Sequence, residues 1–411
     1  MNDRLLIICL CGAEVLTMAG VFAFPALLPT FVAEWGLSKT EAGWIAGLYF
    51  AAYAITAPPV LALTDRIDAR WVHLGGVLLA ATAAAGFALF ADGFWTALVF
   101  RCLAGASLAA TYLPGLRVLM DRYKGRRPSR VLSFYTSSFS LGTALSFVLV
   151  GEIAALAGWR AAFAATAAAA LLAAAVPLLV GAMTPDPPPA GPRRLLDFRP
   201  VLANRAALSY VLAYGAHCWE LFAMRSWLVA FLAYSLSLQA DAAIGREGGW
   251  LSPTSVASLS GLVTMIASIS GNELCVRFGR RRVIAAVMLV SALAAAAVGF
   301  AAPLAYAVVV VLILVYSVLV HLDSASLTAG AVESAAPGQR GATLAVHGFF
   351  GFACAGLGPL VFGVVLDAAG GGATTLSWGL GFASLAVVGL LGPLALRMGR
   401  QRRDGRGEPP A

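Results

Sequence analysis

The chain has 411 residues, of which 60% are hydrophobic and only 12% are charged, and its mean hydropathy is +0.85. About a quarter of the residues in an ordinary soluble domain are charged, so this composition excludes a soluble globular protein and indicates an integral membrane protein. The net charge of +8 raises the question of a nucleic-acid partner, which the placement of the basic residues answers below.

Apolar runs of about 20 residues, enough to cross a hydrocarbon layer of roughly 30 Å, recur along the whole chain. Only helices or closed barrels satisfy their backbone in lipid, and these runs lack the alternation of barrel strands. The predicted fold class is therefore an all-α polytopic membrane protein of about twelve spans. The predicted spans, numbered 1 to 12 in chain order, are 5–33, 42–64, 72–91, 95–118, 131–157, 162–183, 206–236, 252–274, 283–302, 304–331, 342–369 and 375–397.

The first run is too long for the core of a signal peptide and contains Glu14, so we interpret it as a retained span. If the spans alternate in direction, nearly all basic residues of the connections lie on one side. The opposite connections contain only Lys39, Arg160 and Arg246. This positive-inside pattern predicts that both termini are cytoplasmic, and it explains the net charge without a nucleic-acid partner.

Lysine occurs only at positions 39 and 124, whereas arginine is abundant. This usage is typical of a GC-rich bacterium, so we expect the protein in a bacterial inner membrane.

A Pro-rich basic segment, "TPDPPPAGPRRLLDFRP", separates spans 6 and 7 and cannot be a membrane helix. We predict a first half at 1–183, a cytoplasmic linker at 184–205, a second half at 206–397 and a basic cytoplasmic tail at 398–411. Gly151 and Gly158 in span 5 have the same spacing as Gly363 and Gly370 in span 11. Repeated halves are typical of secondary transporters.

Enzymatic motifs are missing from the sequence. The six cysteines lie in or beside apolar runs without paired spacing, and we find no phosphate-binding glycine loop, zinc motif or nucleophile elbow. We therefore expect no enzymatic activity and no cofactor, and an ion gradient as the source of energy.

Two loops occupy corresponding positions in the two halves. "LALTDRIDARW" follows span 2, and "NELCVRFGRRR" follows span 8. The first resembles the signature loop of the major facilitator superfamily, with matches at Asp65, Arg66 and Arg70 but with Leu61 and Asp68 where that signature has glycines. The second loop keeps Arg277, Gly279, Arg280 and Arg281 and has Val276 in place of the acid.

Two further patterns of the same superfamily follow in order. Arg101 and Gly105 occur in "RCLAGASLA" of span 4, and "GWRAAF" follows span 5. The resemblance implies two pseudo-symmetric six-helix bundles around a central cavity lined by spans 1, 4, 7 and 10. It also implies that Asp65 locks a cytoplasmic gate together with the basic residues of both loops, namely Arg66, Arg70, Arg277, Arg280 and Arg281.

The ionisable residues inside the spans fall where that cavity is implied. They are Glu14 in span 1, Arg101 in span 4, His217, Glu220 and Arg225 in span 7, and His321 and Asp323 in span 10. We expect no ionisable residue inside spans 3, 6, 9 and 12. Ionisable residues at membrane depth are costly and are by default candidates for function, so this set forms the predicted substrate and proton pathway.

Helical geometry refines this pathway. At about 100° per residue, His217 and Glu220 share one face of span 7, and Arg225 lies around 80° from His217. On span 10, Asp323 shares a face with Tyr316 while His321 points elsewhere. In spans 5 and 11, small residues recur along one face of the predicted helix. Each of these faces has one polar group at its cytoplasmic end, Tyr135 in span 5 and His347 in span 11.

Structural explanations exist for the same residues. A hydrogen bond from Glu220 to Arg225 or to His217 could simply order the bundle, and Glu14 could neutralise Arg101. In the functional interpretation Glu220 is the first candidate for the proton carrier, followed by Glu14 and Asp323. Arg101 and Arg225 then contact the substrate or modulate those acids. We expect the substrate to be a small organic anion because a guanidinium matches a carboxylate.

These observations together predict a monomeric secondary transporter that moves a small solute by alternating access, coupled to protons. A proton-driven drug or metabolite exporter is a second interpretation: "GLGP" occurs in span 11, although span 5 has Ser146 and Phe147 where many proton antiporters have Gly-Pro. A sensor or channel without coupled turnover is a third.

Overall fold

The computed structural model of the chain describes residues 2–183, 198–239 and 251–399, and every regular element in these ranges is helical. The predicted linker lies outside the described residues from 184 to 197, as do Arg246 and the predicted tail from residue 400 onwards.

The first half contains spans 1 to 6. Span 1 is broken into three helices, and spans 5 and 6 form one long helix that departs from helical geometry at Gly158, where φ is 81° and ψ is 166°. The helices of this half are Asp3–Met18, Ala23–Ala26, Leu28–Trp35, Lys39–Thr64, Ala69–Phe90, Phe94–Arg122, Pro128–Ala173 and Ala175–Leu179.

The second half contains spans 7 to 12, preceded by a short helix. Span 10 is interrupted between His321 and Ser324, and span 12 at Leu390. The helices are Arg199–Ala203, Arg205–Ser237, Pro253–Phe278, Arg280–Val298, Tyr306–His321, Ser324–Glu333, Arg340–Ala368, Thr375–Gly389 and Leu391–Met398, with a 3-10 turn at Gly299–Ala301.

Nine helical segments of the described ranges are long and apolar enough to cross a membrane. One of them, Arg130–Leu179, has 50 residues, more than two crossings require. Two other segments fall outside this set: Asp3–Met18 has only 16 residues, and Arg205–Ser237 contains the polar residues of span 7. The all-helical membrane fold is confirmed, and the count of about twelve spans stays a prediction.

The break in span 1 leaves backbone groups without helical partners, and such groups must be satisfied at membrane depth. Ser146 of span 5 satisfies two of them: its hydroxyl donates to the Ala19 carbonyl oxygen at 2.8 Å and accepts from the Phe22 N–H at 3.0 Å. The Arg101 guanidinium donates to the Val21 carbonyl oxygen at 3.1 Å. Ser146, which lies near where many proton antiporters have Gly-Pro, therefore stabilises the broken helix of span 1.

The two halves meet along spans 2 and 11 through glycine. A Cβ atom added to Gly47 would lie 2.0 Å from the Gly356 carbonyl oxygen, and one added to Gly43 would lie 2.6 Å from the Pro359 carbonyl oxygen. Deeper in the interface, the rings of Phe50 and Phe222 are 4.4 Å apart. Small residues let the helix backbones approach, so spans 2 and 11 form a tight seam between the halves.

Candidate functional site

The predicted pathway residues are buried. The exposed fraction is 7% or less for each of Glu14, Arg101, Tyr135, His217, Glu220, Arg225, Tyr316, His321, Asp323 and His347. The expectation that span 3 has no ionisable residue in its interior is wrong, because His73 is 1% exposed and contacts the Thr111 carbonyl oxygen through Nδ1 at 3.0 Å.

Glu14 points into the first half, where one aromatic hydroxyl contacts it. The Tyr135 hydroxyl lies 3.0 Å from Oε2 of Glu14 and 3.0 Å from the Tyr112 carbonyl oxygen. Oε1 of Glu14 has no hydrogen-bond partner. No ion pair joins Glu14 to Arg101 in the described part of the chain, so the interpretation that Glu14 neutralises Arg101 is wrong.

Arg101 is held by the first half itself. Besides the carbonyl oxygens of span 1, it contacts the face of Tyr49, with 4.2 Å between the guanidinium carbon and the ring centroid. A cavity of about 30 Å³ adjoins it and is lined in part by Thr17 and Thr166. Such a volume suits about one water molecule, so the immediate surroundings of Arg101 do not have room for an organic solute.

The break in span 10 brings its polar residues to span 7. Nδ1 of His217 lies 2.8 Å from Oδ1 of Asp323, although neither atom has a well-aligned hydrogen bond. This contact is an ion pair whenever His217 is protonated. Arg225 contacts Nε2 of His321 at 3.0 Å and Oγ1 of Thr264 at 3.4 Å.

The expectation that His321 points away from this site is wrong, for a reason of backbone geometry. A straight helix would separate His321 from Asp323 by about 200°. The helix ends at His321 and restarts at Ser324, which turns both side chains towards span 7. The rings of His217 and His321 are 6.3 Å apart and edge to face.

Glu220 is directed away from the other members of the span 7 trio. Its Oε1 accepts a hydrogen bond from the Ser291 hydroxyl of span 9 at 2.6 Å, and its Oε2 lies 3.2 Å from where a Cβ atom of Gly389 in span 12 would be. The Tyr316 hydroxyl lies beside this carboxyl without a well-aligned hydrogen bond. Both suggested structural hydrogen bonds of Glu220, to Arg225 and to His217, are therefore wrong.

His347 of span 11 lies next to this cluster. Its ring stacks on Tyr214 with 3.8 Å between centroids, and Tyr214 stacks in turn on His217 at 5.7 Å. Nε2 of His347 is 3.2 Å from the Thr328 hydroxyl. His347 thus extends the polar cluster of spans 7 and 10 to span 11.

An open apolar groove of about 760 Å³ lies between spans 1, 5 and 8, and exposed apolar side chains such as Ile8, Phe134 and Leu141 line it. Cys11, Val15 and Ser138 line it; each lies one helical turn or less from Glu14 or Tyr135. On span 8, Leu262 and Met265 line it. These two residues flank Thr264, the residue of span 8 that contacts Arg225.

We call the end of the molecule at which span 2 ends and span 3 begins the Asp65 end. The ion pairs at this end join residues of the same half. Asp65 pairs with Arg117 of span 4, a partner that the loop motif did not reveal. Arg280 pairs with Glu333. Three other predicted gate residues contact their own half. Arg70 donates to the Val180 carbonyl oxygen, Arg281 donates to the Leu396 carbonyl oxygen, and Arg277 contacts the ring of Phe278. The side chain of Arg66 is exposed.

Asp68 occupies a position at which the superfamily signature has glycine. Its carboxylate connects several segments at the Asp65 end. It pairs with Arg122 at 2.6 Å and accepts from the backbone N–H groups of Arg70 at 3.0 Å and Met183 at 2.8 Å. Burial alone raises the pKa of Asp68, but these hydrogen bonds outweigh it and lower the pKa below the usual aspartate value. The carboxylate therefore ties span 3 to the ends of spans 4 and 6.

Replacing Asp68 with Asn is expected to reduce the free energy of unfolding by about 1 to 3 kcal/mol, the usual range for hydrogen bonds to a charged group. Because the pKa of Asp68 is lowered in the folded protein, its contribution is complete above the unfolded value of about 4 and is lost as the pH falls through the folded value. Thermal unfolding of the purified variant at several pH values measures this.

Asp121→Asn is the matched control for this change. Its carboxylate is 39% exposed and lies 3.6 Å from Arg117, and exposed pairs contribute about 1 kcal/mol or less. Equal losses in the two variants would contradict the structural role of Asp68.

At the opposite end, here the Asp367 end, a carboxylate joins the two halves. Asp367 of span 11 accepts hydrogen bonds from the Lys39 N–H at 3.0 Å, the Thr40 N–H at 2.7 Å and the Thr40 hydroxyl at 2.6 Å. Lys39 and Thr40 are the first residues of span 2, where unpaired N–H groups and the helix dipole favour an anion. This contact was not foreseen from the sequence.

Curated relatives of this chain are transporters. Human Protein spinster homolog 1 is 23% identical over 295 residues, which cover 68% of this chain and 55% of that protein. The chain thus spans about half the length of the spinster relatives. The niacin transporter NiaP of Acinetobacter baylyi is 28% identical over 149 residues, covering 35% of this chain and 32% of that protein. The probable 4-methylmuconolactone transporter of Cupriavidus pinatubonensis is 29% identical over 152 residues, covering 34% and 33%.

Solved structures share the fold at low identity. A bacterial homolog of the human lysosomal transporter spinster, in an inward-facing and unoccupied conformation, has a TM-score of 0.73 and 16% identity over 97% of this chain and 95% of that chain. The nucleoside transporter NupG has a TM-score of 0.77 and 13% identity over 96% and 99%. The family model described as Major Facilitator Superfamily matches residues 10–359. The chain is a multi-pass membrane protein and belongs to the major facilitator superfamily.

Proposed function

We propose that the protein transports a small organic anion by alternating access, coupled to protons, with Arg225 as the anion-binding residue. The observation that carries this proposal is that Arg225 is 4% exposed and has no acidic partner among the described residues. A guanidinium keeps its charge at any working pH, and a buried charge without a counter-charge is costly. A carboxylate substrate supplies that counter-charge.

The surroundings of Arg225 support a solute with an apolar body. The guanidinium lies 5.7 Å from the ring of Phe22 in the first half, so a ligand there contacts both halves. The open apolar groove between spans 1, 5 and 8 comes close to this site, because its lining residues Leu262 and Met265 flank Thr264, which contacts Arg225. Relatives named for niacin and 4-methylmuconolactone are consistent with small organic solutes.

The proposed proton-carrying groups are Glu14 and Glu220. Both are buried, with exposed fractions of 0% and 2%, and neither has a basic side chain within ion-pair distance in the described ranges. Because an unpaired buried charge is costly, such carboxyls are suited to bind and release a proton during a transport cycle. We further propose a bacterial inner membrane, a monomer, and the Asp65 end in the cytoplasm.

The conformation of the structure is consistent with a substrate path open towards the Asp65 end. The ion pairs of that end stay within one half, whereas Asp367 and the glycine seam join the halves at the other end. A solved spinster homolog with a similar fold is inward-facing. We propose the inward-facing state for this structure.

The test uses the purified protein in proteoliposomes with a pH gradient and radiolabelled benzoate or nicotinate. The expected result for wild type is accumulation driven by the gradient, together with counterflow. For Glu220→Gln we expect accumulation to be abolished while counterflow continues, because an amide cannot carry the proton. Glu273→Gln, which changes an exposed carboxyl of span 8, is the control that keeps accumulation.

Other results decide against parts of the proposal. Unchanged uphill transport in Glu220→Gln removes that residue from the proton path. Uptake of these anions without counterflow indicates a channel, and binding without any flux indicates a sensor. Stabilisation only by neutral lipophilic or cationic compounds favours a drug or metabolite exporter.

A further inference from the structure

His321 makes two polar contacts that together fix its protonation state. Its Nδ1 atom lies 3.0 Å from the Ser317 carbonyl oxygen, and its Nε2 atom lies 3.0 Å from a terminal nitrogen of Arg225. A carbonyl oxygen only accepts hydrogen bonds and a guanidinium only donates them. Nδ1 therefore carries the hydrogen, Nε2 presents its lone pair to Arg225, and the ring is neutral.

The lone pair on Nε2 is the one place where this ring can take up a proton, and Arg225 occupies it. A proton bound there would leave two donors facing each other across 3.0 Å, and two positive charges at that distance repel strongly inside a protein. Proton binding to His321 and the contact between His321 and Arg225 are therefore mutually exclusive.

Arg225 released from His321 has little else to bind. Among the residues that the structure describes, its remaining polar contact is the Thr264 hydroxyl at 3.4 Å, near the upper limit for a hydrogen bond. The freed nitrogen of the guanidinium can then donate to a carboxylate in the planar, paired geometry that makes arginine selective for carboxylates.

We propose that His321 is the residue that couples the proton to substrate binding: a proton on its Nε2 atom displaces Arg225 and makes that guanidinium available to the anion. This inference rests on the proposed function and names the point at which the proton acts on the substrate site. Glu220 keeps its proposed role as a proton carrier, but it bonds to Ser291 and has no hydrogen bond or ion pair with Arg225 among the described residues, so it does not act on the guanidinium directly.

The groups around His321 keep its ring neutral as long as Arg225 contacts it, because the nearest charge is that guanidinium. The ionisable groups on the elements packed against it are Arg225, His217 and Glu220 of span 7, Asp323 and Tyr316 of span 10, and His347 of span 11. From spans 8, 9 and 12 the described residues present neutral groups, namely Thr264, Ser291 and Phe382. The acid closest to this pair of histidines is Asp323, which contacts His217 at 2.8 Å.

The experiment compares anion binding to the purified full-length protein at about pH 5 and pH 8, an interval that extends below the range in which histidine usually titrates. The probes are benzoate, nicotinate, succinate and inorganic phosphate, and binding is measured by ligand-induced thermal stabilisation and confirmed by calorimetry. For wild type we expect the affinity for the bound organic anion to increase about fivefold or more at the lower pH, the lower end of typical coupling between two sites.

The variant His321→Gln tests the role of the lone pair. The amide oxygen can still accept from Arg225 but cannot take up a proton, so we expect binding to persist with a pH-induced change of less than about twofold, well below typical coupling. The matched control is His73→Gln, a change to another buried histidine whose Nδ1 atom contacts a carbonyl oxygen at 3.0 Å. This control is expected to keep the wild-type dependence on pH.

Three results would overturn different parts of the proposal. If His321→Gln binds the anion with the wild-type pH dependence, His321 is not the coupling residue, although the proposed anion transport stands. If none of the organic anions stabilises wild type at either pH, the proposed function fails and the role of His321 fails with it. A pH dependence lost in His73→Gln as well would show a general effect of burial, and this also overturns the proposal.

Discussion

Replacing Arg225 with Lys is expected to raise the Kd for an organic anion by about tenfold to 100-fold, the range that corresponds to losing one hydrogen bond to a charged group. Lysine keeps the positive charge, but its ammonium is a compact point charge that does not reproduce the planar donor fork of arginine. The donor geometry of Arg225 is used in this structure, because one terminal nitrogen of its guanidinium contacts both His321 and Thr264. Ligand-induced thermal stabilisation of the purified variant measures the effect.

The control for this change is Arg160→Lys, which keeps the same chemistry at an exposed position. Arg160 is 56% exposed and lies 4.0 Å from Glu34, so the substitution is expected to leave anion binding unchanged. Wild-type affinity in Arg225→Lys, with both proteins folded, would remove Arg225 from the binding site. The affinity of Arg225→Lys for a neutral analogue of the anion should equal that of wild type, because the loss concerns the charge of the ligand.

Much of the fold followed from the sequence because the signals were local. Apolar runs and turn residues placed the helices, and Gly158, which ends the predicted span 5, is where the long helix Pro128–Ala173 departs from helical geometry. The burial of the pathway residues also followed, since a charge inside an apolar run has few alternatives to an interior position.

The placement of individual side chains did not follow, because it depends on where helices break. Periodicity assumes a straight helix, and the interruption after His321 reorients both His321 and Asp323. The break in span 1 had a similar effect: Arg101 bonds to the backbone exposed by that break instead of to Glu14. Pro25 and Pro29 accompany the break in span 1, whereas no proline marks the break in span 10.

Long-range partners were out of reach for a different reason. Asp65 and Arg117 are separated by 52 positions, and Thr40 and Asp367 by 327. No local pattern relates residues so far apart. Asp68 was noted only as a departure from the superfamily signature, and its role became visible once Arg122 and Met183 were placed beside it.

Replacing Asp367 with Asn is expected to open the Asp367 end of the protein. The carboxylate accepts three hydrogen bonds from the first two residues of span 2, and its charge interacts favourably with the helix N-terminus. An amide can accept at only one atom and carries no charge. A loss of about 1.5 to 3 kcal/mol should shift the ratio of closed to open molecules at this end by about tenfold to 100-fold.

The measurement is labelling of Ala46→Cys by a membrane-impermeant maleimide, counted as the increase over the six native cysteines. Ala46 is 2% exposed and lies one helical turn before Phe50, which packs on the second half, so the thiol becomes reactive only when the halves separate. We expect faster labelling in Asp367→Asn and no change in Asp92→Asn, which alters an exposed carboxylate at the same end that bonds only to Thr96.

Asp65→Asn distinguishes a gate from a general loss of stability. Asp65 pairs with Arg117 inside the first half, so breaking this pair does not release the seam between spans 2 and 11 in the conformation seen here. Labelling of Ala46→Cys should therefore rise with Asp367→Asn and not with Asp65→Asn. Faster labelling in both variants would mean that each change merely loosens the fold, and unchanged labelling in Asp367→Asn would show that the glycine seam closes this end without the carboxylate. The two carboxylates occupy the ends of spans 2 and 11, but only Asp367 bonds across the halves, and this asymmetry makes the two variants respond differently.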